Sequence, residues 1–235
     1  VTVRIRRVTT TRSGGASAPP YDSFNLGDHV GDDPAAVAAN RRRLASSIGL
    51  APDHLIWMNQ VHGVRVETVD APLSGAVDAT DALVTSTPGL ALVVVTADCV
   101  PVLFGDARSG VIGAAHAGRV GAADGVVLRT IESMVSAGAH PADISVLLGP
   151  AVSGANYEVP EEMAADVEAR LPGSRTTTSA GKPGLDLRAG IARQLASVGI
   201  TAIDVDPRCT VADRALFSHR RGAPTGRLAS LIWME

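Results

Sequence analysis

The first residues alternate, Val1, Val3 and Ile5 being separated by Thr2, Arg4 and Arg6, which is the period of a half-exposed strand. Thr9 to Pro20 is rich in Thr, Ser, Gly and Pro and reads as a mobile loop. Asp33 stands where a helix cap belongs, with Pro34 in the first turn and Gly49 as the stop, so a helix is expected between them. The pattern then turns extended. Leu55–Val61, Arg65–Val69, Ala82–Thr85, Leu90–Thr96, Val100–Phe104 and Val111–Ala115 are short, β-branched runs bounded by Gly, Pro and Asp. Val126, Val127, Ile131, Met134 and Val135 recur at near-helical spacing, predicting a helix over Ala122–Ala137 that ends at Gly138.

Ile144–Leu148 reads as a further strand, and Pro160–Leu171 and Leu187–Val198 as helices, the second set between an Asp186 cap and Gly199. Ala202–Val205 and Ala229–Trp233 are the expected closing strands. Several strands precede the first long internal helix. The expected fold is therefore α+β, a single-domain sandwich of mixed β-sheets with flanking helices, rather than a doubly wound parallel sheet.

Composition supports one folded unit. Of the 235 residues, 46% are apolar and only 3% aromatic, so the core must be built from Val, Leu, Ile and Ala. A net charge of −3 argues against general nucleic-acid binding, which needs a positive surface. The densest apolar run, Leu90–Val95, is too short to span a bilayer, and the alternating start lacks the unbroken apolar core of a secretory signal. Cys99 and Cys209 cannot form a disulfide framework for a chain of this length. A reducing cytoplasm is the expected location.

Three segments carry polar, chemically capable residues at or just beyond strand ends: Asn59-Gln60-Val61-His62-Gly63, Thr96-Ala97-Asp98-Cys99-Val100-Pro101 and Ala114-Ala115-His116-Ala117-Gly118. His62, Cys99 and His116 are the donor types that Zn²⁺ prefers, and three protein ligands leave a fourth position open, as in catalytic zinc sites. Their spacing matches no local zinc motif. On residue types alone, a metal-free Cys99–His116 nucleophile pair fits as well.

These segments resemble the multicopper polyphenol oxidase (laccase-like) domain family, whose members are described as zinc-dependent purine nucleoside phosphorylases. The resemblance extends through Asn25-Leu26-Gly27-Asp28-His29-Val30-Gly31-Asp32-Asp33, Leu148-Gly149-Pro150, Tyr157-Glu158-Val159, Cys209-Thr210, Phe217-Ser218-His219-Arg220-Arg221 and Thr225-Gly226-Arg227, in the family's order along nearly the whole chain. It implies zinc on His62, Cys99 and His116, with phosphorolysis of adenosine, inosine, guanosine and methylthioadenosine and deamination of adenosine as a second activity. The chain departs from the family at one place. Where the family reads His-Ala-Gly-Trp-Arg-Gly, Gly118 is followed by Arg119, Val120 and Gly121, so the tryptophan is missing and the arginine sits one place early.

Deamination needs an activated water and an acid to protonate departing ammonia, for which Asp98 and Glu158 are candidates. Phosphorolysis needs an anion site. Arg43, Arg119, Arg220 and Arg227 are unranked candidates, since the planar guanidinium pairs with phosphate oxygens. Asn25 and Gln60 have the amides to read a purine edge. His29 and His219 fall in matched motifs without a role. Two further readings stand beside this one: a metal-free cysteine hydrolase, and a non-enzymatic metal- or partner-binding domain. A copper oxidase fits poorly, because no two of the six histidines are spaced as His-x-His.

Overall fold

A computed structural model describes residues 2–235, so Val1, where the first strand was expected to begin, lies outside the described residues. That strand, β1, runs over Ile5–Thr9. It pairs antiparallel with β12 (Leu228–Met234), which also pairs antiparallel with β5 (Ala91–Thr96). The short β2 (Leu55–Ile56) closes this four-stranded sheet in the order β1-β12-β5-β2.

The six-stranded second sheet is built from β3 (Val66–Thr68), β4 (Ala82–Thr85), β6 (Val100–Asp106), β7 (Val111–Ala117), β8 (Ile144–Leu148) and β11 (Ala202–Val205). Its order is β11-β8-β6-β7-β4-β3, parallel at both edges and antiparallel in between. A hairpin of β9 (Arg175–Thr177) and β10 (Pro183–Leu185) stands apart. The sequence gives it little signal, because Arg175-Thr176-Thr177 is polar and half exposed.

The alternation of side chains across a strand sorts the core into three layers. Leu92, Val94 and Ile232 of the first sheet meet Leu103, Ile112 and Ala114 of the second. Val93, Val95 and Leu231 point the other way, onto Leu44 and Ala45 of helix α1 (Pro34–Ser47). On the far face of the large sheet, Val102, Phe104 and Ala115 pack against α2 (Arg119–Ala123), α3 (Val126–Ser136), α4 (Glu161–Arg170) and α5 (Leu187–Ser197). The expected sandwich of mixed sheets with flanking helices is what forms.

The capping signals act as expected. Asp33 accepts the Ala35 amide at the start of α1, Asp186 accepts that of Ala189 in α5, and Gly49 and Gly199 follow with φ of 73° and 86°. Three expectations need correction. The helix expected over Ala122–Ala137 is two helices, because Gly125 takes φ 94° and breaks the run. The strand expected over Leu55–Val61 ends at Ile56. Beyond it, the Gln60 side chain takes a strand's place by donating to the Val95 carbonyl and accepting the Val95 amide, both at 2.9 Å. The Thr9–Pro20 loop is stitched down, Ala16 N–H donating to the Asn40 side chain and Ser17 N–H to the Ser23 carbonyl.

Candidate metal centre

The donors converge where the chain crosses from one sheet to the other. β5 ends at Thr96, and the turn Ala97-Asp98-Cys99 carries the chain into β6, leaving Cys99 beside the C-terminal end of strand β7, on which His116 sits. His62 comes from the loop after β2. The His62, Cys99 and His116 ligand atoms all lie within 4.8 Å of one another, with Cys99 Sγ 4.0 Å from His62 Nε2. The imidazoles meet edge to face, with ring centroids 4.7 Å apart. Bonds of about 2.0–2.3 Å from one zinc to N and S ligands require only about an ångström of contraction from these spacings, so the donor set fits such an ion. Gly118 makes this closeness possible: a Cβ there would stand 2.8 Å from the His62 ring and 3.2 Å from Cys99 Sγ.

Backbone conformation is forced at this point. His62 and Asp98 adopt φ of 61° and 106°, a region that costs a non-glycine residue about 1–3 kcal/mol. Compensating bonds hold both. The Asp98 carboxylate accepts the Thr210 hydroxyl at 2.6 Å and the Arg220 amide at 2.7 Å, while its carbonyl accepts Val152 N–H. Both carboxylate oxygens are thus engaged in joining three loops, which argues for a structural role over proton donation. Glu158, the other candidate acid, is exposed and absent from the cavity lining.

Asp81, immediately before β4, is fully buried. Its carboxylate accepts the amides of Val61, His62 and Gly63 at 3.1, 3.0 and 2.7 Å and lies 2.8 Å from His116 Nδ1. Burial pushes this carboxyl up, but the bonds from His116, Gly63 and Val61 outweigh it and hold it below its usual range. Burial likewise raises the Cys99 thiol, yet the adjacent His116 and His62 bring it down to about 6. Burial opposes protonation of His116, whereas the Cys99 thiolate and Asp81 raise it to about 9. Without metal, both shifts favour a thiolate beside an imidazolium.

The donors line a cavity of about 630 Å³. Val95, Ala97, Val152 and Leu187 give it apolar walls, and Tyr157 forms one side. Five further basic side chains line it: His29, Arg119, His219, Arg220 and Arg227. Arg220 lies over the Tyr157 ring at 4.8 Å and donates to the Glu158 carbonyl. Burial lowers Arg227, opposed by the charges of Cys99 and Asp98. None of the three arginines forms an ion pair among the described residues. Arg119 lines the cavity although it sits one place early, because it opens α2 directly after Gly118.

The remaining sequence candidates are placed differently. Asn25 is fully buried, its amide donating to Gly27 O and Asp32 and accepting Gly27 N–H and Arg227 N–H; it braces the segment that presents Arg227. Gln60 lines the cavity with its amide engaged on Val95. Arg43 is exposed on α1 and does not line the cavity. Thr96, which sequence reasoning passed over, is 2% exposed, lines the cavity and has a hydroxyl with no partner among the described residues.

The chain is 72% identical over 235 residues to a purine nucleoside phosphorylase of Mycobacterium tuberculosis, covering 100% of this chain and 94% of that protein. Proteins of the same name from Corynebacterium glutamicum and Deinococcus radiodurans are 59% and 45% identical, over 98% and 95% of this chain and 94% and 87% of theirs. Among solved structures, the hypothetical protein YfiH of Bacillus licheniformis superposes with a TM-score of 0.92 at 33% identity, covering 98% of this chain and 93% of that one. YlmD of Geobacillus stearothermophilus gives 0.89 at 34%, covering 98% and 92%. The family described as multi-copper polyphenol oxidoreductase laccase matches residues 6–235, and the chain belongs to that family.

Proposed function

We propose that this protein is a zinc-dependent purine nucleoside phosphorylase that takes adenosine, inosine, guanosine and methylthioadenosine, and that it also deaminates adenosine at the same centre. The observation that carries the reading is one cavity holding a His-Cys-His donor set and three arginines with no carboxylate partner among the described residues. The relatives named purine nucleoside phosphorylase support the substrate class. His62, Cys99 and His116 would hold the zinc, which when bound supplies Lewis-acid polarisation beside the substrate.

The chain's own part is positioning. Arg119, Arg220 and Arg227 hold phosphate, since guanidinium groups with no carboxylate partner among the described residues gain most from a dianion. Phosphate attacks the anomeric carbon, the glycosidic C–N bond breaks, and the purine leaves with the bonding pair and takes up a proton. Asn25 and Gln60 act through the backbone they brace, not by reading the base. We also place the protein in a reducing cytoplasm: both cysteines are free, and no helix among the described residues is long and apolar enough to cross a membrane. The test is chromatography of products from zinc-loaded protein given adenosine. Adenine, hypoxanthine and ribose 1-phosphate are expected only with phosphate, and inosine with or without it. If neither activity appears, the proposal fails.

A second reading, a metal-free cysteine hydrolase, draws on Cys99 Sγ and the His116 imidazole lying within 4.8 Å of one another, with shifts that favour the thiolate and the imidazolium. The two readings part on metal content. In metal-stripped protein, alkylation of Cys99 by iodoacetamide is expected to titrate near pH 6, with the thiolate dominant above that and lost as pH falls through it. Zinc should abolish this reaction. Equal alkylation with and without zinc would favour the hydrolase.

A further inference from the structure

Two of the three donors answer to a single carboxylate. Val61, His62 and Gly63 donate successive backbone N–H groups to Asp81, a concave arrangement of amides that ordinarily receives an anion. Here the anion is supplied by the chain. Its grip fixes the loop at His62, whose left-handed φ of 61° lets three consecutive amides converge. The same residue holds His116 twice: its carbonyl accepts the His116 amide at 2.8 Å, and Oδ1 lies 2.8 Å from His116 Nδ1. A buried carboxylate that already accepts three amides has only acceptor capacity left, so Nδ1 carries a hydrogen, and Nε2 is the nitrogen left to give up its proton and present a lone pair to a metal.

We infer that Asp81 is the positioning residue of the metal centre, fixing the His62 loop and the His116 tautomer together so that both imidazoles present a metal-binding nitrogen toward Cys99. The inference rests on the proposed metal site but concerns a residue outside the donor set. Asparagine is the informative substitution because it is nearly the same shape. Oδ1 accepts from His62 N and His116 Nδ1, and Oδ2 from Val61 N and Gly63 N. Whichever oxygen becomes NH₂, two donors then face a donor.

The experiment is zinc affinity by chelator competition for wild type and Asp81→Asn, with Co²⁺ absorption as a second probe and melting of the metal-free proteins as the fold control. Asp81→Asn is expected to bind zinc about 10–100-fold more weakly, the range for loss of a carboxylate that orients a ligating histidine. Its Co²⁺ spectrum should also shift as the ligand geometry relaxes. Affinity within twofold of wild type and an unchanged Co²⁺ spectrum would overturn the assignment. If Asp81→Asn does not fold, ¹⁵N NMR of the zinc-loaded wild type decides. A proton on His116 Nδ1 with metal on Nε2 is expected, and the opposite pattern overturns the inference. Failure of the wild type to bind zinc at all would remove the metal reading and this inference with it, whereas tight wild-type binding with an indifferent Asp81→Asn would remove only the inference.

Discussion

Cys99→Ser protein is expected to purify folded, without zinc, and inactive in phosphorolysis and deamination alike. Thiolate is a strong soft ligand, and the fall of this thiol to about 6 means that it is ionised at neutral pH. A serine hydroxyl stays neutral there and offers the ion little. Lewis-acid assistance is worth several kcal/mol, so its loss should lower kcat/KM by about 10³-fold or more. The fold should survive, since Cys99 is only half-buried and starts no strand. Metal analysis, circular dichroism and both activity assays check this. Loss of only one activity would show that the two reactions do not share the centre. Loss of neither would make Cys99 a packing residue and end the zinc reading.

Gly118→Ala should do nearly as much damage with a single methyl group. The backbone there, φ −71° and ψ 170°, suits any residue, so the substitution carries no conformational penalty. The harm is local: the new Cβ would sit 2.8 Å from His62 Cδ2 and 3.2 Å from Cys99 Sγ. Neither neighbour retreats easily. The His62 loop is held by three amides on Asp81, and Cys99 follows the strained, anchored Asp98. Displacements of about an ångström at a reacting centre cost on the order of 10²-fold in rate. We therefore expect kcat/KM to fall about 10²-fold and zinc to bind more weakly, while the metal-free protein melts within a few degrees of wild type. Full activity in Gly118→Ala would mean that the donors do not need this proximity.

The sequence was most informative where hydrophobic alternation and punctuation agreed. Ala82–Thr85, Ile144–Leu148 and Ala202–Val205 are strands with the expected bounds, each a short run set off by turn residues. It was least informative where a side chain stands in for backbone, as Gln60 does against Val95, or where one glycine's φ divides a helix, as at Gly125. The site followed the same rule. His62, Cys99 and His116 stand out by residue type as chemically capable, although type alone left a metal-free Cys99–His116 pair equally open until the family resemblance was added. Asp81 does not, because an aspartate before a strand looks like an ordinary turn former until burial shows four N–H groups converging on it. His29 and His219 lay in recognisable motifs, yet only the closure of distant loops brings them to the cavity. Asn25 shows the converse: its amide suits a purine edge, but the backbone of Gly27 and Arg227 claims it first.

The place of β12 between β1 and β5 joins residue 5 to residue 234, so the first sheet cannot close until residues 228–234 have been made. On a ribosome, that orders events. His62, Cys99 and His116 have all been made by residue 116, together with Asp81, whereas Tyr157, Arg220 and Arg227 arrive late and β12 last. Pairings that span so much chain are slow to form, because a long loop must be closed before any contact rewards it. The metal donors thus emerge well before the walls that surround them. A nascent chain passes through an interval in which its soft ligands are exposed and its first sheet still has an open edge at β5, the stage at which a folding chain is most exposed to mispairing.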